Sequence, residues 1–164
     1  MRRSVPTCIL IGVLAIGCAG GSYQQGERKS GEADRGETNG RMFDFVSNKP
    51  DADDWQIRIR DTSMWAAYAN GTDETQLGTV NLEEKEAKRV WKLIDELDIG
   101  GRKKGKKDED EGYVQLRLRE PGGESNHDLT TVFVSRATED EAVLDLGAYL
   151  QKLILKYHKK QADF

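Results

Sequence analysis

The sequence predicts an α+β fold, a single small domain in which one antiparallel sheet carries two helices on one face. Three observations lead there. Trp55-Gln56-Ile57-Arg58-Ile59-Arg60 alternates apolar and polar side chains with period two, as a strand with one face on a core does. Val114-Gln115-Leu116-Arg117-Leu118-Arg119 echoes it position for position, 59 residues later. After each run comes a stretch with apolar residues at helical spacing, so the chain reads as a tandem ββα-ββα pseudo-repeat behind an N-terminal signal peptide and a flexible tether.

At the N-terminus, Arg2 and Arg3, an apolar run over residues 9–16 and the pair Gly17-Cys18 have the charged, hydrophobic and small-residue parts of a secretory signal. The run falls far short of the roughly 20 residues that a spanning helix needs. Ala15-Ile16-Gly17-Cys18 resembles the lipobox of bacterial lipoproteins, in which a small residue precedes a cysteine that is lipidated and becomes the mature N-terminus. Ala15 departs from the leucine usual in that family. The resemblance implies a signal peptide over residues 1–17, lipidation of Cys18 and attachment to a membrane. Ala19 in place of aspartate directly after the cysteine implies the outer membrane; the periplasmic side is the expected one, with the inner membrane and the cell surface as alternatives. The cysteine count agrees, because Cys8 leaves with the signal and an unpaired thiol in an oxidising compartment is a liability unless chemically occupied. An ordinary signal cut elsewhere among residues 17–21 is the alternative.

Residues 18–41 are Gly, Ser, Gln and charged side chains with little to bury besides Tyr23, so they read as a disordered tether with a span of about 25 Å. The remaining residues, 42–160, are enough for one core. The chain carries a net charge of −4, and loss of Arg2 and Arg3 leaves −6. That balance argues against a general nucleic-acid binder.

The folded part begins at Met42-Phe43-Asp44-Phe45-Val46, read as a short edge strand. After the Trp55 strand, Asp61-Thr62-Ser63 turns the chain into a second strand over residues 64–69, which ends at the turn dipeptide Asn70-Gly71. Residues 75–80 add a third strand. Asn81-Leu82-Glu83-Glu84 reads as an N-cap with an acidic capping-box partner, and Ala87, Val90, Trp91, Ile94 and Leu97 mark one face of the helix that follows. Gly100-Gly101 is its expected stop.

Residues 102–111 place a basic block before an acidic one. A cation site in residues 108–111 lacks the glycine and ligand spacing of a calcium loop, so the segment reads as a solvated connector whose blocks neutralise each other. Beyond the Val114 strand, Pro121-Gly122-Gly123 makes a turn and residues 129–135, rich in β-branched side chains, return as a strand. Thr138-Glu139-Asp140-Glu141 reads as a capping box. Val143, Leu146, Leu150, Leu153, Ile154 and Tyr157 line its helix, with Lys156, Lys159 and Lys160 suited to the negative end of the dipole.

The order hairpin, helix, hairpin, helix, the Ile-Arg-Ile-Arg strand and Val90-Trp91-Lys92-Leu93-Ile94-Asp95-Glu96-Leu97-Asp98 before a loop resemble the small bacterial proteinase inhibitors of the emfourin type. The likeness spans roughly residues 43–157. It implies inhibition of a secreted, thermolysin-like metalloprotease as an alternative activity, though no inhibitory residue of that family is matched one by one.

Chemistry is sparse. His127 and His158 are the only histidines, and the chain has no metal-ligand spacing, phosphate-cradling glycine loop or nucleophile elbow. No catalytic residue, metal or cofactor is expected, and a hydrolase without a recognisable motif is the second alternative. The sharper feature is geometric. If Trp55, Ile57 and Ile59 face the helices, period two sends Arg58 and Arg60 to the opposite face, and Arg117 and Arg119 likewise. Four arginines sharing an open face suit an acidic partner, whether another envelope protein, a lipid phosphate or a cell-wall carboxylate, and the alternative is a solvated face whose arginines pair with neighbouring acids. The expectation is a non-enzymatic envelope lipoprotein, held to the membrane by its lipid, whose domain binds another envelope protein through these arginines.

Overall fold

The computed structural model describes residues 40–121 and 127–164. The expected signal peptide, Cys18, nearly all of the tether and the Gly122-Gly123 turn lie outside the described residues. In chain order the elements are β1 (Met42–Asn48), β2 (Asp54–Arg60), β3 (Ser63–Asn70), β4 (Asp73–Asn81), α1 (Glu84–Glu96), β5 (Tyr113–Pro121), β6 (His127–Ser135) and α2 (Glu141–His158). The strands form one antiparallel sheet ordered β4-β3-β2-β1-β5-β6. One core joins Phe43, Ile57, Ile59 and Leu116 of the sheet to Val90, Ile94, Leu146 and Leu150 of the helices. The α+β class, the antiparallel sheet and the two helices on one face are therefore as the patterning predicts. Among the described residues no helix is long and apolar enough to cross a membrane.

The segment expected at the edge, β1, is instead the centre of the sheet, paired with β2 on one side and β5 on the other. Phe43 and Phe45 fill the core, and Asp44 is also buried, at 2 % exposure. This placement explains the sequence echo. Ser47 pairs with both Trp55 and Val114, Phe45 with Ile57 and Leu116, and Phe43 with Ile59 and Leu118. The two runs look alike because each meets the same strand in the same register.

The doubled unit does not follow from that echo. Four strands precede α1 and two precede α2. Strands β2 and β5 run the same way, since both oppose β1, yet their hairpins extend outward to opposite sides. With apolar faces on the same side of the sheet, no rotation superposes the two hairpins.

Both helix starts lie two residues beyond the expected caps. β4 runs through Asn81, so Glu83 is the N-cap of α1, and its amide donates to Glu86 Oε2 at 3.1 Å. Asp140 caps α2 by accepting from the Ala142 and Val143 amides, while Thr138 Oγ1 accepts from the Asp140 amide. Acidic residues crowd both starts, so several side chains qualify locally and the packing register decides among them. Nor does a glycine stop α1. Its C-cap is Leu97, followed by Asp98 at φ 46°, and the Leu97 carbonyl accepts from Arg102 Nε.

The connector is not simply solvated, and no ion pair joins its blocks among the described residues. Arg102 forks onto Asp140, Lys107 Nζ lies 5.2 Å from the Tyr113 ring, and Asp108 accepts from Ser135 Oγ at 2.6 Å. The Lys104 carbonyl accepts from the Phe133 amide at 2.7 Å, which covers part of the β6 edge. A Cβ at Gly105 would collide with the Phe133 carbonyl, so this approach needs glycine. Packing also continues past residue 160. Ala162 is buried, and the Phe164 ring sits 4.9 Å from Phe45 and 6.1 Å from Trp55.

Contacts at both ends make α1 and α2 antiparallel. Arg102, just past α1, meets the cap of α2, while Lys156 near the end of α2 bonds Glu83 and Glu86 at the start of α1, each at 2.7 Å. The Tyr157 hydroxyl adds a bond to Glu86 Oε2 at 2.6 Å. Lys156 thus bridges the helices rather than only complementing a dipole. Burial pushes the Glu86 carboxyl up, but bonds from Lys156, Tyr157 and the Glu83 amide outweigh it and hold the group below its ordinary 4.5. A depressed carboxylate stabilises the fold above its unfolded value, and that contribution is lost as pH falls through the folded one. In urea titrations, acidification below about pH 5 should therefore lower the midpoint more steeply in the wild type than in Glu86→Gln. Parallel pH profiles would contradict this assignment.

Candidate functional site

Among the described residues the helices cover one face of the sheet, and the predicted arginines meet on the other. Register places them in a grid. Arg58 and Arg117 flank Asp44, Arg60 and Arg119 flank Met42, and Gln56 and Gln115 flank Val46. Strands lie about 4.8 Å apart and alternate residues about 7 Å apart, so the arginine columns on β2 and β5 stand about 10 Å from each other. All four arginines expected on this face are there.

Their environments differ. Arg58 Nε donates to Asp44 Oδ1 at 2.6 Å, and that is the pair's only salt link among the described residues. The Arg58 side chain is 19 % exposed and held against the buried carboxylate. Arg60 Nε lies 3.1 Å from Met42 Sδ. The side chains of Arg117 and Arg119 make no hydrogen bond or ion pair with any described residue, although Arg117 stands directly across from Asp44. Within the two arginine rows Asp44 is the one carboxylate among four guanidiniums, while Asp54, bonded to Asn48, and Asp108, bonded to Ser135, stand toward the other end of the same face.

Aromatic side chains bound the grid. Trp65 of β3 pairs with Arg58, and Phe133 of β6 pairs with Gln115. Tyr113 meets the Phe133 ring edge-on at 5.9 Å, with Lys107 above both rings. The patterning of β2 and β5 reveals the arginines, but Asp44, Trp65 and Lys107 join them only through strand order and the connector's path.

Elsewhere the surface offers less. A shallow open groove of about 430 Å³ runs between α1 and the β2–β3 turn, lined by Arg41, Asp61, Lys88, Trp91, Lys92 and Asp95 among others. Its polar groups serve the fold, since Arg41 bonds Asp95 at 2.7 Å and lies 4.8 Å from the Trp91 ring, whose Nε1 donates to the Asp61 carbonyl at 2.8 Å. His127 begins β6 and His158 ends α2, where burial pushes the imidazole down. Among the described residues no group of three or more His, Cys, Asp or Glu side chains could hold a metal ion. Cys18, the expected lipid site, lies outside the described residues. No known protein family matches the chain, and no curated protein matches it.

Proposed function

We propose that this chain is a membrane-anchored envelope lipoprotein whose domain is a non-enzymatic docking module for an acidic protein partner. The observation that carries the reading is the cationic grid: four arginines around one buried carboxylate, on the sheet face that the helices leave open. Guanidiniums bind carboxylates in a bidentate fashion, and a surplus of such forks on an acidic chain is a surface for complementary charge. The lipidated Cys18 and the tether that follows it would hold this face near the membrane at a partner's height.

The test needs a variant that strips charge without unsettling Asp44. Arg117→Gln/Arg119→Glu suits, because neither arginine has an ion-pair partner among the described residues. Affinity capture on the full chain from envelope extracts should recover an acidic protein that the double variant loses by tenfold or more, with thermal melting unchanged. Identical capture by both forms would remove the reading. The anchor is checked separately, by incorporation of labelled palmitate that Cys18→Ser abolishes.

A further inference from the structure

Resting on that docking reading, we infer that the partner presents an extended segment with a carboxylate at every second residue. The argument is one of spacing. Within each column the arginines are two residues apart on a strand, Arg58 and Arg60 on β2, Arg117 and Arg119 on β5, so they rise by about 7 Å. Alternate side chains of an extended peptide rise by the same step and share one face. A segment lying along β1 would direct successive inward carboxylates to successive rows of the grid. The helical steps of three and four residues place charges about 5–6 Å apart on a curved surface and do not follow a flat array.

The two rows are not equivalent. Asp44 supplies the upper row with one negative charge of its own, while the lower row has Met42 as an uncharged floor between Arg60 and Arg119. A ligand carboxylate at Arg119 faces that uncharged side chain where one at Arg117 faces Asp44, so Arg119 is the primary anion seat. The upper row, where the Arg117 side chain is without a hydrogen-bond or ion-pair partner among the described residues, takes the next carboxylate along. This ordering assigns Arg119 more of the binding than Arg117.

Fluorescence anisotropy on the full-length chain in detergent, with two labelled peptides of identical composition, tests the spacing. One is Glu-Thr-Glu-Thr-Glu-Thr-Glu and the other Glu-Glu-Thr-Thr-Glu-Glu-Thr, in which no two glutamates stand two residues apart. The alternating peptide should bind about fivefold tighter, Arg119→Gln should weaken it more than Arg117→Gln, and added salt should weaken it further. Equal affinities that both fall in the arginine variants overturn the alternating register and leave acidic docking intact. If neither peptide binds, or if a single-stranded oligonucleotide or phosphatidylglycerol vesicles bind tighter through the same arginines, the docking reading fails with it.

Discussion

Asp44→Ala should lower the stability of the domain by about 3 kcal/mol, measured as a shift in urea midpoint at constant slope. Asp44 is buried in the central strand, bonded at 2.6 Å to an arginine that is itself mostly covered. Removing the carboxylate takes away a charge-assisted hydrogen bond and leaves the Arg58 donor without its acceptor. It also leaves Arg58 and Arg117 facing each other across a neutral strand. Loss of one partner from a buried pair costs about 3–5 kcal/mol, and the open face softens this by admitting water to the outer ends of the guanidiniums. Asp44→Asn keeps an acceptor oxygen and should lose less than half as much. Asp44→Ala combined with Arg58→Met should recover part of the loss, because the stranded cation is gone. If the double variant is as unstable as the sum of the two singles, Asp44 and Arg58 are not coupled and the ion pair is not what holds this strand.

That same residue shows why the centre of the sheet was harder to read than its flanks. β2 and β5 announce themselves because three apolar side chains alternate with polar ones that face solvent or half-solvent. β1 has Phe43-Asp44-Phe45, and an aspartate in a short run reads as an exposed edge until two flanking arginines are known to neutralise it. Its neighbours are fixed by pairings to positions 58 and 117, which no local window contains. The arginine face was legible from periodicity alone, whereas its counter-ion depended on strand order.

Local signals also failed where a side chain works at long range. Arg102 looks like the first residue of a basic connector, but its partner lies 38 positions away. Lys156 looks like a charge at a helix end, yet it spans 73 positions to Glu83. Phe164 follows a polar stretch and still packs on Phe45 and Trp55. In each case the physical cause is ordinary, a charge or ring finding a complement, but the complement is brought near only by the completed fold. The sequence echo teaches the converse. Similar neighbours on either side of one strand produced a likeness that resembled a repeat, while the hairpins themselves are related by no rotation.

Arg102→Ala should cost about 2 kcal/mol and do so from the face opposite the proposed docking surface. One guanidinium joins two groups through three bonds. Nε donates to the Leu97 carbonyl at the end of α1, Nη1 meets Asp140 Oδ2 at 2.5 Å and Nη2 meets Oδ1 at 3.2 Å. Asp140 in turn accepts from two amides at the start of α2. Charge-assisted hydrogen bonds contribute about 1.5–3 kcal/mol, and partial exposure of both side chains sets the expectation at the lower part of that range. The bond from Arg102, opposed by burial and aided by the two amides, holds the Asp140 carboxyl below its ordinary 3.8. Its stabilisation is thus present above the unfolded value and disappears as pH falls through the depressed one, so the gap between wild type and Arg102→Ala should narrow in strong acid. Arg102→Lys lacks the planar fork and should restore only part of the loss. Because the helices lie behind the sheet, Arg102→Ala should leave affinity for an acidic peptide unchanged wherever the domain remains folded. A variant that loses stability and peptide affinity in proportion would place the binding surface among the helices instead of on the arginine grid.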